Sequence, residues 1–426
     1  MNKKKIMSVV LLTTMLGWGT LAGCGNTSTK DAAHDETAKE VTINFWHHYS
    51  EQSAENATLN DVLIPQFEKE NPGIKVNAVS HEWADLHDKI LISAKSNTLP
   101  DVARLDSAWI PEFEKGEMLV ALDEEMTDYK EVAGNLLESA MTTAKVKEHT
   151  YGLALNTNTK ILFYNKKMFE DANLSAPKTM EEFVSVCKQL SGKNENGQQI
   201  WGYNEPGLSG WNLCPFIWSY GGAITNENQT KATGYLNSKE TVEAIDMIAN
   251  LYKEKLITGW NSGDIPMTDG FGTGRYAMIV DGPWKISELL GGYPDFSYGM
   301  LPFPSGKAGS YSVLGGEDIA MLNIEHKEAA WKFMKFMTDE FAQTEMAKCG
   351  QIPVNKVALE SDTVKEAEFA PYIEALKTAK SRPTVAAWSE IDSELSVAVG
   401  QVVNGEKTAQ EAMDLLAVKV DKLLAE

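Results

Sequence analysis

Residues 41–80 read VTINFWHHYSEQSAENATLNDVLIPQFEKENPGIKVNAVS, and the pattern inside them decides the fold. Val41-Thr42-Ile43-Asn44-Phe45 alternates in the period of a half-buried strand and stops at the polar-aromatic cluster Trp46-His47-His48-Tyr49. Leu59, Leu63 and Phe67 then recur every four residues along one helical face, and Asn71-Pro72-Gly73 ends that helix. Ile74, Val76 and Ala78 resume a period of two. Strand, helix and strand in succession form a βαβ unit. Leu86, Ile90 and Ala94 predict the next helix and Pro100 to Asp106 the next strand, so this part of the chain reads as an α/β, doubly wound lobe. Ligands of such sheets gather beyond the carboxyl ends of strands, where His47, His48, Tyr49, Asp106 and Trp109 fall.

Working outward toward the start, Lys3, Lys4 and Lys5 precede a charge-free stretch from Ile6 to Gly23. Its apolar heart, Ile6 to Leu16, is too short to cross a bilayer and has small residues behind it, as a cleavable export signal does. Leu21-Ala22-Gly23-Cys24 resembles a lipobox, which implies cleavage before Cys24 and acylation of that cysteine. The expected protein is therefore extracytoplasmic and lipid-anchored to the cell membrane through Cys24, with residues 1–23 as signal peptide. Residues 24–40, polar and poor in large apolar side chains, read as a flexible tether.

Removing residues 1–23 takes away three lysines and no acid, so the formal charge moves from −21 to −24. That leaves no electrostatic footprint for nucleic acid. A chain of 426 residues exceeds what one hydrophobic core usually organises, which predicts two lobes. Cys187, Cys214 and Cys349 show no C-x-x-C spacing, so neither a disulfide framework nor a structural metal is implied, and buried thiols are expected.

A second lobe is expected to begin near Asn156. Thr179-Met-Glu-Glu182 is a capping box opening a helix whose Phe183, Val186 and Leu190 share a face; Thr408-x-x-Glu411 opens another near the end of the chain. Val242, Ile245, Ile248 and Tyr252 mark a further helix between them.

The ordered segments INFWHHYS, LIPQFEKENPGIKV, TLPDVARLD, YGLALNTNTKILFYNKKMF, APKTMEEF, TGRYAMIVDGPW, YGMLPFPSG, LGGEDIAM and AAWKFMKFM resemble the extracellular solute-binding proteins of ABC sugar importers, the family of maltose-binding protein. The resemblance implies a two-lobed periplasmic-binding-protein-like fold, each lobe a β-sheet flanked by helices, with the ligand cleft between them. Lobe one is expected at 41–155 with 316–346 and lobe two at 156–315 with 347–426. It implies a monomer without enzymatic activity or cofactor, which captures an oligosaccharide and delivers it to the permease subunits of an ABC transporter.

Sugars offer apolar ring faces that pack on flat aromatics and hydroxyl edges that need paired acceptors and donors. By resemblance, Trp211, Trp284 and Trp388 fall where the family carries stacking aromatics. Trp331, on a helix face, reads as core, and Trp83 and Trp260 are left open. For hydroxyl edges the candidates are His47, Asp106, Asn158, Glu317 and Asp318, with Gly316 allowing backbone to approach a ligand. Asp106 has a competing role as a helix cap. Asn158 stands, by resemblance, where the family has a ligand-binding carboxylate.

Three other readings compete. A metal receptor would use His47, His48, His81 and His87, but His81-Glu82-Trp83-Ala84-Asp85 lacks the second histidine of H-E-x-x-H. A sugar-phosphate or polyol receptor is disfavoured for its anionic form, because Arg104, Arg275 and Arg382 are the chain's arginines and bidentate arginine is the usual phosphate clamp. A surface glycosidase would need two carboxylates across a cleft, for which Asp106 and Glu317 are the candidates.

Overall fold

A computed structural model describes residues 40–260, 263–366 and 368–425; the export signal, Cys24 and the tether as far as residue 39 lie outside the described residues. The chain opens with β1 (Val41–His47) and a helical run in three pieces: α1 (Ala54–Thr58), a π-helical turn at Leu59–Leu63, and α2 (Ile64–Glu70). Leu59, Leu63 and Phe67 are buried on one face of that run, as their spacing predicts. After β2 (Ile74–Ser80), α3 (Trp83–Ser96) buries Leu86 and Ile90 and leads into β3 (Val102–Asp106). β4 (Leu153–Thr159) is separated by Lys160 alone from β5 (Ile161–Asn165). The chain then forms α4 (Met180–Leu190), β6 (Tyr203–Asn204), α5 (Gly210–Tyr220), α6 (Lys239–Lys253), β7 (Ile257–Thr258), β8 (Met278–Asp281), α7 (Trp284–Gly292) and β9 (Tyr298–Leu301). It closes with β10 (Val313–Met321), α8 (Lys327–Met337), β11 (Lys380–Ser381), α9 (Trp388–Val403) and α10 (Ala409–Leu423). Both capping boxes exist: Thr179 and Thr408 accept from the backbone N–H of Glu182 and Glu411, whose carboxylates return the bond.

These strands build two sheets. The first has the order β11-β10-β3-β1-β2, with β4 also on β10; the second runs β7-β6-β8-β5-β9. β1 pairs parallel with β2 and β3, whereas β10 runs antiparallel to β3 and β4. The two-residue strand β11, which carried no signal in the sequence, adds to the edge of the first sheet.

Strand alternation divides the first sheet's packing between two cores. Ile319 and Met321 of β10 join Ile43, Phe45, Phe67 and Phe333 on one face; Ala320 and Leu322 join Leu86, Leu105 and Phe113 on the other. A sheet buried on both faces is what a doubly wound lobe requires. The second sheet has its own cores, one gathering α4, α5, α6, α9 and α10 and the other centred on Phe163, Phe271 and Tyr372. Trp331 is buried, and its indole N–H donates to Asp128 Oδ1 at 2.6 Å. No described helix is long and apolar enough to cross a membrane.

Candidate functional site

A cleft of about 970 Å³ opens over the carboxyl end of β3. It is lined by His48, Tyr49, Arg104, Asp106, Asn158, Trp211, Trp284, Gly316 and Glu317, together with residues of α1 and of the cleft-facing side of α7. Its volume lies at the upper end of the range of small-molecule sites, about 300–1,000 Å³.

The floor follows from strand register. Arg104 and Asp106 alternate with the core residue Leu105, so both share a face of β3, and antiparallel pairing sets Glu317 of β10 directly opposite Asp106. Two carboxylates opposed across a ladder repel each other. Each has its own cation: Arg104 Nη2 reaches Glu317 Oε2 at 2.9 Å, and Arg382 Nη2 donates to Asp106 Oδ1 at 2.8 Å. The same Asp106 oxygen accepts from the Ala108 N–H at 2.9 Å, so the helix-capping role expected as a competitor coexists with the ion pair.

Arg104 is buried at the centre of this network. Its guanidinium lies 4.2 Å from the centroid of Tyr49, its Nη1 is 2.9 Å from Nδ1 of His48, and its Nε is buried without a partner. Burial opposes the Arg104 charge, but Glu317, Tyr49 and Glu55 hold its pKa above the ordinary arginine value. Glu55 of α1, also in the lining, is buried, accepts from Gln351 Nε2, and has its pKa raised by that burial against the pull of Arg104.

The aromatic wall consists of Trp211 and Trp284, whose rings stack at 6.3 Å between centroids and 28° between planes. Arg382 lies 5.4 Å and the Lys160 ammonium 5.9 Å from the Trp211 ring. Gly315 is required here for packing inside the protein. A Cβ on it would collide with Asn158 Oδ1 and lie 2.6 Å from the Trp211 ring, so the close approach at Gly315 is made by the protein's own side chains.

Four of the residues named from the sequence lie off the cleft, each for a physical reason. His47 follows Ile43 and Phe45 on the core face of β1, accepts from the Tyr49 N–H at 3.3 Å, and is held neutral, its pKa driven down to about 3 by burial, then by Arg104 and His81. Trp109 packs among Trp83, His87 and Phe113. Trp388 begins the buried stripe of α9 and lies against Gly210, where a Cβ would meet its ring at 2.8 Å. Asp318, next to Glu317 on a strand, points to the opposite face; a register shift falls between the two.

Asp318 accepts from Thr143 Oγ1 at 3.0 Å and is fully buried, so its pKa is pushed up to about 8, mainly by desolvation. A carboxyl raised in the folded state contributes stability that is complete below its unfolded pKa and lost as pH rises toward the folded value. Asp318→Asn should therefore gain on the parent by a few kcal/mol between about pH 4 and about pH 8. Urea unfolding at the two pH values checks this; parallel pH dependences would refute the assignment of Asp318 as a buried neutral acid.

The residues that sequence reasoning missed are Arg382, Glu55, Gln351 and, on the far wall, Asp269, Glu288 and Tyr293, while Trp83, left open, lines the cleft half-exposed. Arg104 carried a legible signal, a charge inside a fully buried strand. The four histidines do not converge on one point: His48 sits on Arg104, His81 bonds Lys89, and His87 bonds Glu112 at 3.0 Å.

Residues 50–344 match the family profile of bacterial extracellular solute-binding proteins. Among curated relatives, a multiple sugar-binding protein of Streptococcus mutans is 26% identical over 353 residues, covering 79% of this chain and 78% of that protein. A galactooligosaccharide-binding protein of Bacillus subtilis is 22% identical over 428 residues, covering 98% and 97%. Among solved structures, the GacH receptor of Streptomyces glaucescens, studied unliganded and with acarbose, superposes with a TM-score of 0.83 at 24% identity over 91% of this chain and 99% of that one. A substrate-binding protein of Listeria monocytogenes in complex with cycloalternan gives 0.80 at 22% identity over 91% and 100%.

Proposed function

The chain belongs to the bacterial extracellular solute-binding proteins, and from that premise we propose that its cleft captures a neutral oligosaccharide and hands it to the permease of an ABC importer. The observation that carries this reading is the cleft itself: a stacked tryptophan pair for apolar ring faces beside two compensated arginine–carboxylate pairs for hydroxyl edges. The two relatives, a multiple sugar-binding protein and a galactooligosaccharide-binding protein, support the same ligand class. The charge of the lining argues against an anionic ligand. Two arginines, both already paired, face five carboxylates: Glu55, Asp106, Asp269, Glu288 and Glu317. A receptor of this kind binds and releases without bond making, so we assign it no catalytic residue.

The direct ligand contacts in this reading are Trp211, Trp284, Asp106, Asn158, Glu317, Tyr49 and His48, with Arg104 and Arg382 holding the carboxylates in place. The lobes are 41–155 with 316–346 and 156–315 with 347–426, and the whole acts as a monomer anchored by lipid on Cys24. Thermal-shift screening against an oligosaccharide panel tests the ligand half, since a molecule that binds the folded state alone raises its stability by RT ln(1 + [L]/Kd). Fractionation of cells making Cys24→Ala, which should leave the membrane fraction, tests the anchoring half. A panel without any stabilising sugar, or a variant retained on membranes with normal processing, would refute the respective half.

A further inference from the structure

α7 turns Trp284, Ser287, Glu288, Gly291 and Gly292 toward the cleft, the three- and four-residue spacing of one helical face, so this stripe runs about 12 Å along the wall. Lys285 and Leu289, on the other side, are buried. Gly291 and Gly292 close α7, where glycine is a poorer helix former than alanine, and the usual structural uses do not account for this pair. Gly291 and Gly292 both have negative φ, so neither forms a left-handed cap, and the capping residue Tyr293 has φ −141°. A Cβ on either would meet no atom within 4 Å, so no close packing needs a bare backbone. Both are exposed, and the space above them belongs to the cleft. Tyr293, also in the lining, is fixed beside them: its ring lies on Gly272 and its hydroxyl donates to Asp269 Oδ1 at 2.8 Å.

We propose that Gly291 and Gly292 keep open an outer sugar position, farther along α7 than the Trp211–Trp284 pair, which admits a further ring of a longer oligosaccharide and makes the receptor selective by chain length. A local rule broken without internal compensation, at residues that line a binding cleft, is what a site shaped for its ligand leaves behind. The inference rests on the oligosaccharide reading above.

The test is calorimetric titration of the purified protein and of Gly291→Leu and Gly292→Leu with di-, tri-, tetra- and pentasaccharides of the malto-, galacto- and manno- series. Leucine is a better helix former than glycine, so both variants should melt at or above the parent temperature, which separates the ligand effect from unfolding. The affinity for the longest bound members should fall by about tenfold or more while the shortest bound member changes by less than about twofold, because an added side chain excludes the ring that would occupy its place. Uniform loss across lengths, or unchanged affinity for the long members, overturns the proposal. A parent protein that binds no member of any series removes the oligosaccharide reading and this inference with it, and is seen before any variant is made.

Discussion

Replacing Arg104 by methionine should cost about 3–5 kcal/mol of folding stability, the largest effect we expect of any single substitution in the cleft. The reason is asymmetry. Arg104 is buried 2.9 Å from Glu317 and is the cation that also draws on Glu55. Removing it strands a buried carboxylate beside Asp106, which stands directly opposite Glu317 in the ladder. The attraction lost is smaller than the desolvation left uncompensated. The double variant Arg104→Met/Glu317→Gln should therefore recover most of the loss, because it removes both charges together. Urea unfolding of the single and double variants reads the coupling directly. A single variant that loses less than about 1 kcal/mol would refute the claim that the pair is buried and ionised.

The same network shows which parts of the site could be read from sequence and which could not. Alternation in Val41–Phe45 and the four-residue spacing of Leu59, Leu63 and Phe67 are local patterns, and they produced the elements they predict. The period of two also bears on the site itself. His47 and His48, and Glu317 and Asp318, are neighbours on strands or at their ends, so one of each pair had to face away from the cleft. Trp388 was legible too: with Ile391, Leu395 and Val402 it forms the buried stripe of α9, a core signature that positional resemblance overrode. Arg382 was not legible. It meets Asp106 across 276 residues of chain, a pairing made by tertiary packing with no trace in the neighbouring sequence.

Trp211→Ala and Trp388→Ala should separate binding from scaffold, and the separation follows from what each ring touches. Trp211 is half-buried at the cleft surface, stacked on Trp284 and flanked by Arg382. A platform that is already assembled, with a face turned to the cleft, loses little folding energy when truncated, yet it removes the surface on which a sugar ring packs. Trp211→Ala should cost about 2 kcal/mol or more of oligosaccharide affinity, roughly thirtyfold in Kd, with a change in folding stability below about 1 kcal/mol. Trp388 is 2% exposed and packs on Gly210 beneath the start of α5. Its truncation opens a cavity in the core that gathers α5, α9 and α10, and should cost about 3–5 kcal/mol of stability. Any loss of affinity in Trp388→Ala then arrives through displacement of α5 and its Trp211, and should shrink at low temperature where the fold is retained. Chemical denaturation and calorimetry on the two variants decide the matter. If Trp211→Ala binds normally and melts early while Trp388→Ala does the reverse, the aromatic surface that meets the ligand lies at the start of α9, and the wall formed by Trp211 and Trp284 is packing.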